Sequence, residues 1–384
     1  MTVIKDVARR AGVSVGTVSN VINNPDRVGA ETRRRVEAAI DELGYVRNVH
    51  ARQLRVGHSR IIGLLVLDLG NPFFVDVARA AERAAHRAGL GVMVCTSNQS
   101  AAEEAEYLAL FAEQRVRGVL LTPADGTGRS VEAFGRHGIP FVLVDRVGAG
   151  GAGCSVSVDD VAGGTLAVRH LTAAGHRHIA YVSGPPHLQQ IRDRRTGAHA
   201  ALAEAGLGPE ALTELPTQTL DVAAGRDAAS RLLGLPQRPT AVFCANDLIA
   251  LGVLQTLFAA GVDVPHDLAI VGYDDIEFAA AAAVPLTSVR QPGAAMGSLA
   301  AELLLEELAE DGGRGGGGGP GGGGSGGPGG EGGGGGPGER GEGEGGAPGE
   351  RGEGESGGPS GHAHRQVVLQ PELVVRRSSL RRAP

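Results

Sequence analysis

From Ile61 to about residue 272, short apolar runs alternate with Ala-rich amphipathic stretches, and this alternation constrains the fold more than any other feature of the chain. The runs at 61–67, 91–95, 117–121, 140–144, 178–182, 239–243 and 268–272 have strand length and composition. Between them, helical spacing is read near 73–88, 102–115, 128–137, 160–174, 192–206, 222–233 and 246–260. A strand followed by a helix, repeated, predicts parallel sheets covered by helices on both faces. Crossings near Asp159-Asp160 and Thr287–Gln291 would divide the chain into two lobes facing a cleft. Ligands of such sheets sit beyond the carboxyl ends of the strands, so the loops at 68–74, 145–146, 183–194, 245–247 and 273–275 are expected to line that cleft.

The first 57 residues read differently. Val3, Val7 and Ala8 make one short apolar face, Gly12 supplies a turn, and Ser14 is placed to cap a second helix carrying Val15, Val18 and Ile22. A third helix is predicted over Ala30–Leu43, with Val36, Ala39, Ile40 and Leu43 on one stripe and Gly44 just past its end. Three such helices bury one small core and form a helix-turn-helix, whose second helix enters the major groove of DNA. Val15, Gly16 and Asn20 would then face base edges, while Ser14, Thr17 and Asn23 would meet the backbone. Direct readout by this set is thin: Val15 can touch a thymine methyl, Asn20 can pair with adenine, and Gly16 brings no side chain.

Asn48-Val-His-Ala-Arg-Gln-Leu-Arg-Val-Gly57 is too short to hold a helix alone. Two copies folding together on DNA would push Leu54 between base pairs as a minor-groove wedge, with Asn48, Ala51 and Arg55 beside it. Specificity would then rest largely on deformation of the central step, and a two-fold dimer on a near-palindromic operator is the expected arrangement.

The order of these parts, followed by Ile61-Ile-Gly-Leu-Leu-Val and Gly70-Asn-Pro-Phe-Phe74, resembles the lactose-repressor (LacI/GalR) family of bacterial transcription regulators. The likeness runs to about Leu308 and resumes near Gln366. It implies an all-α helix-turn-helix head (1–46), a hinge and linker (47–60), and a two-lobed, periplasmic-binding-protein-like α/β core (61–310) for effector binding and dimerisation. It implies effector contact at Asp145, at Arg194 in Arg192-Asp-Arg-Arg-Thr-Gly197, at Asn246 in Cys244-Ala-Asn-Asp, and at Asp274 in Val271-Gly-Tyr-Asp-Asp. Carboxylates, a guanidinium fork and an amide together suit a polyol, so a small-molecule effector of the sugar class is expected. Where sugar- and purine-responsive members often carry an aromatic ring, this chain has Leu220, and Phe73 and Phe74 at the cleft mouth are the apolar contacts expected instead.

Charge divides in the same way. Residues 1–58 hold ten Lys/Arg and six Asp/Glu, a net of +4, whereas the whole chain is −7, leaving −11 for the rest. The head therefore attracts phosphate and the remainder does not. Three dispersed cysteines, Cys95, Cys154 and Cys244, fit a reducing compartment, and no apolar run has signal-peptide or membrane-span length, so a cytoplasmic protein is expected.

Residues 311–361 contain 31 of the 63 glycines among Pro, Glu, Ser and Arg, and are expected to be a disordered insertion in a surface loop. The apolar stretch Gln366–Val375, in the terminal segment 362–384, is expected to complete the core by packing on the second lobe, and the end of the chain has no heptad pattern for a tetramer. No phosphate loop, nucleophile elbow or metal-spaced cluster points to catalysis, to a cofactor or to a metal; His176, His178, His362 and His364 are set aside as turn and insertion-edge residues. A transport solute-binding protein, an enzyme fused to a DNA head and a regulator controlled by a protein partner are the competing readings.

Overall fold

The computed structural model describes residues 2–45, 59–124, 128–148, 153–314 and 362–380. It divides into two compact units, Met1–Ser59 and Arg60–Pro384.

In the first unit, α1 (Ile4–Ala11), α2 (Val15–Asn23) and α3 (Ala30–Leu43) pack around Val7, Ala8, Ala11, Val18, Val21, Val36 and Ala39. Gly12 (φ 66°) and Gly44 (φ 56°) end α1 and α3 in the left-handed region that glycine adopts without strain. Val3 does not share the apolar face expected of it: it precedes α1 as the N-cap and is half-exposed. Val15 is exposed, and Val18 and Val21 are the buried residues of α2.

The second unit contains two six-stranded sheets. The first has the order β11-β5-β4-β3-β1-β2, built from β1 (Ile61–Val66), β2 (Gly91–Thr96), β3 (Val119–Leu121), β4 (Phe141–Val144), β5 (Cys154–Val158) and β11 (Gln366–Leu369). The second has the order β12-β10-β9-β8-β6-β7, built from β6 (Ile179–Ser183), β7 (Leu212–Pro216), β8 (Ala241–Cys244), β9 (Ala269–Asp274), β10 (Thr287–Arg290) and β12 (Glu372–Val374). All pairings are parallel except that of β12 on β10. The helices that matter below are α4 (Pro72–Arg87), α7 (Asp160–Ala173), α8 (Gln189–Glu204), α9 (Val222–Leu233), α10 (Asp247–Ala259) and α12 (Gly293–Arg314). Between them lie α5 (Ala101–Glu113), α6 (Arg129–Gly135) and α11 (Glu277–Ala281).

The seven apolar runs all fall on strands, and three further strands arise where none was expected. Cys154-Ser-Val-Ser-Val158 reads as polar, yet all five residues are buried, because the ladder to β4 and β11 satisfies their backbone. Leu212–Pro216 and Thr287–Arg290 also acquire strand geometry from their neighbours rather than from their own hydrophobicity.

The C-terminal stretch corrects a second expectation. It does not pack on the second lobe alone: β11 extends the first sheet, with Gln366 beside Ser155 and Leu369 beside Val158, and β12 extends the second, with Glu372 beside Arg290. The chain thus crosses between the sheets a third time, at 370–371, besides the crossings after β5 and β10. Helix α12 also runs on to Arg314, so 311–314, expected to be disordered, are helical; 315–361 lie outside the described residues.

Candidate functional site

In the first unit, Ser14 accepts a hydrogen bond from the Thr17 amide (3.0 Å), and the two hydroxyls lie 2.9 Å apart. This cap satisfies one of the first unpaired N–H groups of α2 and fixes the entry of that helix. Val15, Gly16, Asn20 and Asn23 lie exposed on α2, with Thr17 half-buried beside them. The Asn23 amide donates to the Ser19 carbonyl at 2.9 Å. The exposed face of this helix therefore carries only small or amide side chains, suited to close approach by a flat-edged polymer.

In the second unit, polar side chains meet at the carboxyl ends of strands in both sheets. Arg194, on α8, donates through Nε to Asp160 (2.7 Å) and through an η nitrogen to the Ala245 carbonyl (2.6 Å). Its guanidinium lies 3.6 Å from the Tyr273 ring centroid, and the Tyr273 hydroxyl donates to the same Asp160 oxygen at 2.8 Å. Asp145, after β4, accepts from Gln190 of α8 at 3.0 Å, and Asp274, ending β9, accepts from Asn71 (2.8 Å) and Gln291 (2.7 Å). The Asp145–Gln190 and Asn71–Asp274 bonds each join a residue following a strand of one sheet to the lobe of the other.

Backbone geometry marks two of these positions. Asp145 (φ 58°) and Asp274 (φ 99°) hold positive φ, a conformation that costs free energy in a non-glycine residue and persists only where the surroundings impose it.

Burial governs the electrostatics. It raises the Asp145 carboxyl well above its ordinary range, with Asp160 and Asp274 adding to the rise and Arg194 and Gln190 opposing it. Burial also raises Asp274, against Arg194 and the Asn71 and Gln291 hydrogen bonds. For Arg194, burial works against the charge but is outweighed, first by Asp160 and then by Tyr273, Asp274 and Asp145, so its affinity for the proton rises. The guanidinium is thus a permanent cation near two carboxyls, Asp145 and Asp274, that resist ionisation.

Glycines set these distances. A Cβ on Gly163 would overlap the Tyr273 hydroxyl, one on Gly164 the Arg194 carbonyl, and one on Gly197 the Val161 carbonyl, so α7 and α8 touch backbone to backbone. Gly225 and Gly252 bring α9 and α10 together in the same way.

The comparisons with known proteins bear on both units. Residues 3–48 match the model described as bacterial regulatory proteins, lacI family, and residues 168–316 match a periplasmic binding protein-like domain. The ribose operon repressor of Escherichia coli (strain K12) is 36% identical over 311 residues, covering 81% of this chain and 94% of that protein. The chain belongs to the lacI family of bacterial regulatory proteins. As a member it is a DNA-binding transcriptional regulator. A crystal structure of the lac repressor dimer bound to operator and the anti-inducer ONPF matches over 99% of both chains, with a TM-score of 0.75 and 25% identity. A LacI family regulator from Enterococcus faecium with bound ribose matches over 83% of this chain and 98% of that one, with a TM-score of 0.63 and 25% identity.

The structure brings Asp145, Arg194, Asn246 and Asp274, named from the family resemblance, to strand ends of the same unit. Asn246 acts first as a helix cap: its carbonyl accepts from the Ile249 amide and its amide donates to the Leu220 carbonyl, both at 2.9 Å. One amide hydrogen remains for anything else. Phe73 and Phe74, expected at the cleft mouth, are both buried, edge to face at 5.0 Å, and follow Asn71, whose side chain caps α4. Asn48, Ala51, Leu54 and Arg55 lie outside the described residues.

Sequence reading missed Asn71, Asp160, Gln190, Tyr273 and Gln291. Asp160 was hidden by its neighbour: Asp159 caps α7 by accepting from the Ala162 amide, as an Asp before a helix usually does, while the next carboxylate turns inward to Arg194. The Gly163-Gly164 pair was the available signal, since two glycines inside a helix are costly unless another backbone must approach. His176 and His178 meet Thr240 (2.8 Å) and Thr213 (3.0 Å), respectively.

Proposed function

We propose that this regulator is a repressor acting as a homodimer on a near-palindromic operator, with its affinity set by a small polyol of the sugar class bound between the two lobes. The observation that carries the effector reading is a pair of buried acceptors. Asp145 Oδ1 and Gln291 Oε1 have no hydrogen-bond partner among the described residues, although both residues are almost fully buried. A buried acceptor without a donor is unfavourable by about 1–3 kcal/mol. Hydroxyl groups are the donors that would relieve it, and Arg194, Asn246 and Asp274 supply the remaining hydrogen-bonding capacity; Phe73 and Phe74 form the apolar backing. The ribose found in the Enterococcus regulator is of this chemical class.

We assign Ser14, Val15, Gly16, Thr17, Asn20 and Asn23 as the major-groove face, and Asn48, Ala51, Leu54 and Arg55, in a hinge over 47–60, as the minor-groove contacts. The binding role needs no reacting group, and we assign no enzymatic activity; the chain works where bacterial DNA is, in the cytoplasm. Among the described residues no helix is long and apolar enough to cross a membrane. A ligand that binds one relative arrangement of the lobes better than another shifts the population of that state. Coupling of about 1–3 kcal/mol would change operator affinity by roughly 5- to 150-fold.

The test is selection of random duplex DNA by the purified protein at fixed salt, followed by operator titrations with and without a monosaccharide panel led by D-ribose. The expected result is a near-palindrome with an easily kinked centre, lost with Leu54→Ala while non-specific binding remains, and an affinity moved at least fivefold by a panel member. A panel without effect would overturn the sugar reading and leave control by a protein partner.

A further inference from the structure

The two histidines that follow the Gly-rich segment are not isolated. Cys154, the first residue of β5, is fully buried, and its Sγ lies 3.4 Å from Nε2 of His362 and 3.9 Å from Nδ1 of His364. The Glu307 carboxylate, from the buried side of α12, completes a group whose four ligand atoms all lie within 4.8 Å of one another. The two imidazole rings stand edge to face, with centroids 5.5 Å apart and planes at 69°, so their nitrogens converge without stacking.

The two sulfur-to-nitrogen separations are close to those around a tetrahedral ion. Bonds of about 2.3 Å to sulfur and about 2.0–2.1 Å to imidazole nitrogen set sulfur-to-nitrogen separations of about 3.5 Å across a tetrahedral angle. A thiolate and a carboxylate together balance a divalent charge, and thiolate with imidazole selects zinc-like ions over magnesium or calcium.

The surroundings have the character of an outer shell. His362 has its other nitrogen, Nδ1, 3.0 Å from the Glu310 carboxylate, within reach of an outer-shell partner although the pair is not in hydrogen-bond geometry here. The Arg365 amide donates to the Cys154 sulfur at 3.4 Å, and the Arg365 carbonyl accepts from the Ser155 amide at 2.9 Å, which opens the β5–β11 ladder.

We propose that Cys154, Glu307, His362 and His364 form a tetrahedral site for a thiophilic divalent cation of the zinc class, which fastens the chain after the Gly-rich segment to the chain before it. Glu307 and Glu310 precede that segment and the two histidines follow it, so one ion closes the whole loop onto β5. Closing a long loop is where a metal clip has the most to stabilise. The strand held in this way continues through 370–371 into β12, so the site anchors the third crossing between the sheets. The regulator assignment neither requires this site nor depends on it.

The experiment uses the full-length protein with any affinity tag removed, stripped with a chelator and then titrated with Zn2+ against a chromophoric competitor and with Co2+ as a spectroscopic probe. One ion per chain is expected, with a thiolate-to-cobalt charge-transfer band, tetrahedral d–d intensity and a thermal midpoint that rises on adding Zn2+. Cys154→Ser and His364→Ala should each weaken binding by more than about 100-fold, and Glu310→Gln by about tenfold, in line with the 10- to 100-fold worth of outer-shell partners. If Cys154→Ser does not fold, as judged by circular dichroism of the stripped protein, half-buried His364→Ala carries the comparison. Substoichiometric binding, an octahedral cobalt spectrum without the charge-transfer band, or equal affinity in wild type and variants would overturn the site and leave a hydrogen-bonded Cys–His cluster.

Discussion

The Arg194 guanidinium lies 3.6 Å over the ring of Tyr273, and both residues bond to one oxygen of Asp160. This triad occupies the start of α7, the side of α8 and the end of β9, so it joins three elements of the second sheet's lobe at the place where the effector is proposed to bind. Replacing Arg194 with Met leaves Asp160 buried without its cation, and removing one partner of a buried pair costs about 3–5 kcal/mol. Urea unfolding should show that loss for Arg194→Met. The double variant Arg194→Met/Asp160→Asn should recover part of it, because the stranded charge is gone. Recovery of stability without recovery of sugar binding would separate the structural role of Arg194 from its proposed contact with ligand.

Asp145 gives a pH signature. Its folded pKa is raised, first by burial and then by Asp160 and Asp274, with Arg194 and Gln190 opposing. A carboxyl raised in the folded state contributes stability that is complete below its unfolded pKa, about 3.9, and is lost as pH rises through the folded value. As pH rises above the unfolded value, wild type therefore bears a growing cost, of keeping the buried carboxyl protonated or of ionising it, that Asp145→Asn avoids. The stability difference, variant minus wild type, should move in favour of Asp145→Asn between pH 5 and pH 8 in matched denaturant titrations. A difference independent of pH would mean that Asp145 does not titrate in this window.

Legibility followed the source of each element's stability. Ile61–Val66 and Ala269–Asp274 declare themselves because parallel strands covered on both faces must be continuously apolar. Cys154–Val158, with two buried serines, is a strand only because β4 and β11 flank it, and that information lies at positions far along the chain. The same distance hid the Cys154–His362 contact, across 208 residues, whereas His362 and His364 alone look like polar residues bordering a glycine tract. At the proposed effector site the residues following strands were legible from the family pattern, and the partners that orient them were not. Asn71 and Gln190 are ordinary turn and helix residues until the lobes are brought together.

In the head, Ser14 and Gly16 separate folding from reading. Ser14→Ala removes the cap of α2 and should destabilise the first unit by about 1 kcal/mol, whereas Ser14→Gly should cost only a few tenths. Gly16→Ala should do the reverse. The nearest heavy atom to an added Cβ is Ser14 Oγ at 3.6 Å, and alanine is preferred over glycine in a helix by about 1 kcal/mol. Calorimetry of the head transition should rank Gly16→Ala above wild type and Ser14→Ala below it. A methyl group at position 16 should still alter the selected operator sequence, since it would stand on the face assigned to base contact.

The contact between α7 and α8 offers the sharpest packing test. A methyl on Gly164 meets the Arg194 carbonyl and one on Gly197 meets the Val161 carbonyl; both are backbone atoms in helices and cannot swing aside as a side chain could. Either alanine must separate the helices, and overpacking of this kind costs about 1–3 kcal/mol. Gly234→Ala is the matched control: its backbone φ is −83° and the nearest atom to its Cβ is 3.5 Å away, so it should change stability by less than about 0.5 kcal/mol. Because Gly164 faces the backbone of Arg194 itself, its alanine variant should also displace the guanidinium from Asp160 and Tyr273. Sugar binding by Gly164→Ala, measured by calorimetry at a temperature where the variant is fully folded, should therefore fall by at least about tenfold, a loss of roughly 1.4 kcal/mol. Unchanged binding in a destabilised variant would mean that Arg194 adjusts independently of the helix spacing, and the glycine pair would then serve packing alone.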